Sequence, residues 1–151
     1  CIMMSDLSDS MDDLENYYNI IKKNNIDAVF GSRFISGSKV IDYPKKKLIL
    51  NRIFNIVTKL LFISDYSDFT NAFKIYKKSA LLKTFPLVSE SFNIFLELPL
   101  KIISRKMKYK IIPISWINRK EGASKFDIKE LRAKYLFTLI YCLIEKLLLK
   151  K

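Results

Sequence analysis

A short basic stretch near the end of the chain has the side chains that bind phosphate. Arg119, Ser124 and Lys125 lie around Gly122, directly after the apolar run 110–117. Arginine offers a planar fork of donors and lysine a point charge, while glycine lets the backbone approach a ligand closely. The run 110–117 is strand-like, so this stretch is expected at the end of a strand. The alternative is a solvated basic loop that binds nothing.

The elements that position this stretch follow from the apolar periodicity. Helices are predicted over 11–23, 45–63, 79–83, 92–106 (with a kink at Pro99) and 127–150. Strands are predicted over 1–4, 26–31, 72–76 and 109–117. Alternation of strands and helices predicts an α/β sheet covered by helices, in which ligands bind at the carboxyl ends of the strands. The polar loops after residues 4, 31 and 117 are therefore expected at one edge of the sheet.

Charge is unevenly distributed along the chain. The net charge is +12, yet residues 1–16 contain acids and no lysine or arginine. An acidic opening on a basic body fits a metal site that faces anionic ligands, an anionic membrane surface, or nucleic acid. A lysine-rich composition without functional meaning is the alternative. The chain has no histidine and two isolated cysteines, which excludes zinc sites of the Cys/His type and histidine-based triads, and favours a reducing compartment.

Four segments occur in a characteristic order. They are 4–9 (MSDLSD), 30–34 (FGSRF), 68–78 (DFTNAFKIYKK) and 113–125 (PISWINRKEGASK). Together they resemble the motifs of family-2 glycosyltransferases of GT-A fold, and most closely those of the polyprenyl-phosphate sugar synthases of the dolichol-phosphate mannosyltransferase type. The resemblance covers nearly the whole chain.

The resemblance implies a fold and a division of the chain. The fold is α/β, the C-terminal part of a GT-A (nucleotide-diphospho-sugar transferase) fold with a mixed sheet flanked by helices. Residues 1–126 would form the C-terminal part of the catalytic domain, and 127–151 an amphipathic helix. The part that binds the nucleotide base is expected upstream, so residues 1–151 alone are expected to be inactive.

The resemblance also implies a metal site on the acidic loop. Asp6 matches a metal-binding acid of the family and is expected to bind Mg²⁺ or Mn²⁺. Asp9 is expected to support it as a ligand or neighbour; the alternative is an ordinary acid at a helix N-terminus. The family's first acid falls on Met4, which does not bind a hard cation.

The cations of the motifs are implied to bind phosphate. Arg119, Ser124 and Lys125 match the family's phosphate-binding loop, and Arg119 also counts among the expected catalytic residues. Arg33 is implied to contact a phosphate or the acceptor, with a surface salt bridge as the alternative.

Two more acids complete the implied catalytic set. Asp68, with Thr70, matches the loop beside the sugar site, with a capped turn as the alternative. Glu97 matches a helix acid near the active site. Because it lies on an apolar helix face it needs a partner, for which Arg119 is the candidate.

The implied activity is transfer of a sugar from a nucleotide-sugar donor to a polyprenyl phosphate or another cell-envelope or glycan acceptor. A phosphate acceptor needs no strong general base, which fits the absence of histidine. The protein is expected to be cytoplasmic and peripheral at the cytoplasmic face of the membrane, with the last helix on the anionic membrane surface and no nucleic acid bound. For that helix, which is too short to span a membrane, the alternative is a helix packed on the rest of the protein. The alternatives are a non-catalytic glycosyltransferase remnant and a basic nucleic-acid-binding module.

Overall fold

The computed structural model describes residues 1–118 and 128–149, and the side chains from residue 133 onward in the last helix. The helices are α1 (Met11–Lys23), α2 (Lys45–Phe62), α3 (Lys78–Leu82), α4 (Ile94–Ser104) and α5 (Ile128–Leu148). The strands are β1 (Ala28–Ser32), β2 (Lys39–Ile41), β3 (Lys74–Tyr76), β4 (Tyr109–Pro113) and β5 (Ser115–Ile117).

Strand β1 lies at the centre of the larger sheet, whose order is β3-β1-β4. It runs antiparallel to β3 and parallel to β4, and Ser32 pairs with Pro113 at the carboxyl end. A second sheet contains the parallel pair β2-β5. The architecture is a mixed α/β sheet flanked by helices, as the sequence predicted. Because β1 and β4 are parallel, the segments that follow Ser32 and Pro113 leave the sheet at the same edge.

Two strand predictions were wrong. The strand expected over 1–4 is reduced to a bridge in which Ile2 and Lys74 exchange backbone hydrogen bonds of 2.8 and 3.1 Å. The strand expected over 109–117 divides at Ile114, which donates to Ser32 of the first sheet and accepts from Lys39 of the second. The chain changes sheets there, and its new partner, β2, lies within the predicted loop 32–44.

Helix α1 packs on β1 through Tyr17, which is fully buried and stacks on Phe73 with ring centroids 4.5 Å apart. Gly31 makes this approach possible. A Cβ at residue 31 would lie 1.8 Å from the Tyr17 hydroxyl and 2.7 Å from a methyl carbon of Ile114. No side chain fits at this point of the strand.

Helix α2 turns a largely polar face inward. Its buried residues are Asn55, Thr58 and Phe62, whereas Ile53 is 55% and Leu60 70% exposed. The apolar periodicity that predicted the helix therefore marks mostly its outer surface. Within the described parts of the chain, no helix combines the length and the apolarity that crossing a membrane requires.

Candidate active site

A buried ion pair joins two of the four motifs. Arg33, directly after β1, donates from Nη2 to Asp68 Oδ1 at 2.7 Å and from Nε to Oδ2 at 2.9 Å. The backbone N–H of Arg33 donates to Oδ2 as well, at 2.9 Å. The side chains are 7% and 0% exposed, so this is not the surface salt bridge that was the alternative for Arg33. Burial works to lower the pKa of Arg33, but the Asp68 carboxylate outweighs it and the pKa lies above its ordinary value.

Three aromatic rings surround the guanidinium of this pair and are called the aromatic cage below. Its Cζ lies 5.3 Å from the ring centroid of Phe34, 5.4 Å from that of Tyr43 and 5.6 Å from that of Trp116. The rings of Tyr43 and Trp116 also contact each other, with centroids 5.0 Å apart. Cation–π contacts of this kind favour the charged guanidinium and hold it in one place. The prediction that Arg33 contacts a phosphate stays a prediction, but Nε and Nη2 are already bonded to Asp68.

The acidic loop, residues 4–9, lies beside the aromatic cage. Asp9 forms an isolated bridge with Trp116, and the backbone N–H of Ile117 donates to Ser8 at 3.1 Å. The Asp9 carboxylate is buried and accepts from the backbone N–H of Met4 at 3.0 Å. The structure thus brings 4–9, 30–34 and Asp68 together at one edge of the sheet.

The carboxylate of Asp9 is affected by its surroundings. Burial raises its pKa most, the Met4 N–H opposes this, and the negative charge of Asp6 raises the pKa further, so that it lies above its ordinary value. Asp6 Oδ1 accepts from the backbone N–H of Ser8 at 3.2 Å and from its hydroxyl at 2.7 Å. Among the described residues, no group of three or more histidine, cysteine, aspartate or glutamate side chains could hold a metal ion. Protein ligation of a cation here would rest on this pair of carboxylates.

Helix α2 holds the Asp68 loop through two amides that the sequence analysis missed. Asn55 accepts from the backbone N–H of Phe69 at 2.6 Å and donates to the Thr70 hydroxyl at 3.2 Å. Asn51 accepts from the same hydroxyl at 3.0 Å and donates to the Tyr43 hydroxyl, also at 3.0 Å. Thr70 therefore bonds to helix α2. Two asparagines spaced four residues apart, and therefore on one face of the helix, were the available signal.

Lys74, within the third motif, is a further residue that the sequence did not single out. It is fully buried, and its Nζ donates to the backbone carbonyls of Phe69 at 3.1 Å, of Phe95 at 3.3 Å and of Asn71. The Phe95 carbonyl is available because Pro99, four residues later in α4, has no N–H to donate. Burial lowers the pKa of Lys74 to about 7, although the Asp68 carboxylate opposes this.

Glu97 takes part in a different set of contacts. It is fully buried, lies 3.0 Å from the Lys101 amine, and accepts from the backbone N–H groups of Val88 and Ser89. Burial works to raise its pKa, but the donors from Ser89, Val88 and Lys101 outweigh it, so the pKa lies below its ordinary value. The expected partner was Arg119, which lies outside the described residues; the partner that the structure shows is Lys101. In the described parts of the chain no hydrogen bond or ion pair joins Glu97 to Asp68.

The same network connects α4 to α5. Lys101 also lies 3.2 Å from Glu145, which is 2.5 Å from Arg105. Glu97 thus contributes to a helix–helix junction, and its expected catalytic role stays a prediction.

The predicted phosphate-binding residues Arg119, Ser124 and Lys125 lie outside the residues that the structure describes. The chain enters this segment beside the acidic loop, because Asn118 donates its backbone N–H to Ile41 at the end of β2 and the preceding residue, Ile117, bonds to Ser8. The prediction that Arg119 and Lys125 lie on the same face as Asp6 remains a prediction.

The chain is similar to a curated protein of stated function. It is 24% identical over 108 residues to the polyprenol monophosphomannose synthase of Mycolicibacterium smegmatis (strain ATCC 700084 / mc(2)155), which corresponds to 70% of this chain and 41% of that protein. The chain therefore spans about two fifths of this relative's length. No family model matches the chain.

Proposed function

We propose that this chain is part of a family-2 glycosyltransferase of GT-A fold that transfers a sugar from a nucleotide-sugar donor to a polyprenyl phosphate. The observation that carries the proposal is the convergence of three motifs, distant in sequence, at the carboxyl edge of the sheet. The Asp6–Asp9 loop meets the Arg33–Asp68 pair there, beside Trp116. The distant relative is named as a synthase of this kind, which supports the same assignment.

The chemistry suits the side chains that are present. An anionic oxygen of the acceptor phosphate attacks the anomeric carbon of the sugar, and the bond from that carbon to the nucleoside diphosphate breaks with its electron pair. No proton has to be removed from such an acceptor, so a chain without histidine can promote the reaction. The protein then has to hold two anionic ligands close together, which requires positive charge at the site.

Asp6 and Asp9 would hold the Mg²⁺ or Mn²⁺ that such a donor requires. Burial and, to a smaller extent, the negative charge of Asp6 raise the pKa of Asp9, and a bound cation would favour the charged form of both carboxylates. Two carboxylates are enough, because Mg²⁺ is commonly held by one or two carboxylates together with water and substrate phosphates. The metal would neutralise charge on the leaving diphosphate.

A membrane-facing surface fits a lipid acceptor. Helix α2 begins with the exposed residues Lys45, Lys46 and Lys47, contains no acid, and leaves apolar side chains on its outer face. Helix α5 packs beside it, with Phe54 and Tyr135 rings 6.0 Å apart. The exposed apolar side chains of the two helices are Ile49, Leu50, Ile53, Ile56, Val57, Leu60, Leu61, Leu136, Phe137, Ile140, Ile144, Leu147 and Leu148. Apolar area bordered by lysine is complementary to an anionic leaflet. The proposed location is the cytoplasmic face of the membrane.

The test is a transfer assay with the intact protein. Radiolabelled nucleotide-sugars are incubated with polyprenyl phosphate in vesicles, and both the lipid-linked sugar and the released nucleoside diphosphate are measured. Polyprenol without phosphate is the matched control and should accept nothing. Equal transfer to both lipids would refute the phosphate acceptor, and no transfer from any donor would refute the proposal.

Met4 motivates a second candidate, a remnant that no longer transfers sugar. It occupies the place of the family's first acid. In that case the intact protein is inactive, and Met4→Asp restores metal-dependent transfer. Activity of the unaltered protein excludes this candidate.

A further inference from the structure

The site needs positive charge that Arg33 does not supply. Its Nε and Nη2 are bonded to Asp68, and the charges of the pair offset each other. A ligand with a phosphate group therefore requires another cation at this edge of the sheet, within the reach of the same aromatic cage.

Arg52 occupies such a position. It lies on α2, and its Cζ is 4.5 Å from the ring centroid of Phe34. Arg33 contacts the same ring, with its Cζ at 5.3 Å. Two guanidinium groups thus lie against one phenyl ring, although they are 19 positions apart in sequence.

The two guanidinium groups differ in what they bond to. In the described parts of the chain, Arg52 forms no ion pair with an acid, and its Nη1 is buried without a hydrogen-bond partner. A buried N–H without an acceptor is costly, and for a charged group the cost is larger. A ligand oxygen at Nη1 would satisfy the donor and balance the charge.

We propose that Arg52 is an anion-binding residue of this site and that Nη1 donates to a phosphate oxygen of the ligand. The inference rests on the proposed function for the identity of that ligand. Stacking on Phe34 restricts the plane of the guanidinium, so the donor is already oriented before the ligand arrives. The phosphate belongs either to the donor's diphosphate or to the acceptor lipid.

Binding of inorganic pyrophosphate tests the site without any transfer reaction. Calorimetric titration of the intact protein in EDTA gives the affinity in the absence of a metal. Arg52→Ala should weaken it by roughly tenfold or more, the factor expected for one lost charge-assisted hydrogen bond. Arg52→Lys should fall in between, because it keeps the charge and loses the fork.

Lys22→Ala is the matched control. Lys22 is also a cation over an aromatic ring, 5.6 Å from the centroid of Tyr18, but it is exposed on α1. This variant should bind pyrophosphate like the unaltered protein. If the unaltered protein does not bind pyrophosphate, or if Arg52→Lys and Arg52→Ala bind it as well as the unaltered protein does, the proposal is overturned. Should Arg52→Ala fail to fold, Arg52→Lys decides.

Steady-state kinetics distinguish the two sources of the phosphate. A higher KM for the nucleotide-sugar in Arg52→Lys assigns Arg52 to the donor, and a higher KM for polyprenyl phosphate assigns it to the acceptor. Arg52-dependent pyrophosphate binding in a protein that transfers no sugar would refute the proposed function and leave the anion site standing. If Arg52→Lys transfers sugar and binds pyrophosphate as well as the unaltered protein does, the anion site is refuted and the proposed function stands.

Discussion

The buried amine of Lys74 donates to the backbone carbonyl of Phe95, the one carbonyl of α4 that Pro99 leaves without its helical donor. Strand β3 and helix α4 are thereby joined by a side chain that also bonds to the Phe69 and Asn71 carbonyls, on either side of Thr70. The position of the Asp68 loop therefore depends on a lysine that is buried away from water.

Lys74 should make stability depend on pH. Its pKa is lowered to about 7 in the folded protein, against an ordinary value of 10.5. Between these values the unfolded chain binds more protons, so the free energy of unfolding should rise with pH, by at most about 1.4 kcal/mol per pH unit. Urea unfolding from pH 7 to 8 measures this slope, because this range ends one unit below 9.0, the ordinary pKa of the Cys142 thiol. Lys74→Met should remove the slope, and an identical slope in both proteins would contradict the assignment.

Breaking the Arg33–Asp68 pair should destabilise the fold. Asp68→Asn leaves the guanidinium buried without a charge partner, and we expect a loss of about 3–5 kcal/mol. Exchanging both residues, as Arg33→Met with Asp68→Leu, should cost less than the single change. Denaturant titrations of these two variants and the unaltered protein measure this, and a double variant no more stable than Asp68→Asn would argue against it.

Asp6→Ala should abolish the metal dependence of transfer in the intact protein, because it removes one of two carboxylates that face the proposed cation. The measurement is the initial rate as a function of Mg²⁺ or Mn²⁺ concentration. Asp12→Ala, an exposed acid at the start of α1, is the control and should respond like the unaltered protein. Undiminished metal-stimulated turnover in Asp6→Ala would exclude Asp6 as a ligand.

Asn55→Leu should loosen the Asp68 loop. The change removes the acceptor for the buried Phe69 N–H and the donor to Thr70. We expect it to lower the free energy of unfolding by about 1–3 kcal/mol. Hydrogen exchange at the Phe69 amide should accelerate, while Asn19→Leu, at an exposed position of α1, should leave it unchanged. Equal protection of that amide in both variants would show that Asn55 does not hold the loop.

The outer face of α2 should bind anionic vesicles. Leu60→Glu, at a residue 70% exposed, places a negative charge in the proposed contact, whereas Leu82→Glu on α3, at a residue 61% exposed, is the control. Co-sedimentation with vesicles should fall for the first and not for the second. Replacing Lys45, Lys46 and Lys47 with glutamine should weaken binding by about 1 kcal/mol per residue and reduce its salt dependence. Unchanged vesicle binding by all these variants would refute the proposed membrane-facing surface.

The sequence allowed most helices to be predicted, because an apolar period of 3.6 residues is a local property. It did not show which side of α2 is buried. The buried side is set by hydrogen bonds from Asn51 and Asn55 to residues in and around the Asp68 loop, and these residues are distant in sequence. The division of 109–117 into β4 and β5 likewise reflects two different neighbours, β1 and β2. Pro113 inside the run was the one local indication.

The site was predictable as a set of motifs but not as a set of bonds. Placing 4–9 and Arg33 at one sheet edge follows from the topology of α/β sheets, and the structure brings them together. The ion pair between Asp68 and Arg33, and the contact of Arg52 with the ring of Phe34, depend on a fold that brings α2 next to the end of β1. The spacing of these residues in the sequence does not predict either contact.

Gly31 lies at the interface of α1 and β1 and touches no ligand-binding group itself. A single methyl group at this position, Gly31→Ala, would meet the Tyr17 hydroxyl and Ile114. Since Ile114 is the residue at which the chain changes sheets, the displaced atoms include those that join the two sheets. A side chain at residue 31 would therefore disturb the sheet edge at which the motifs converge, although Gly31 contributes no functional group to it.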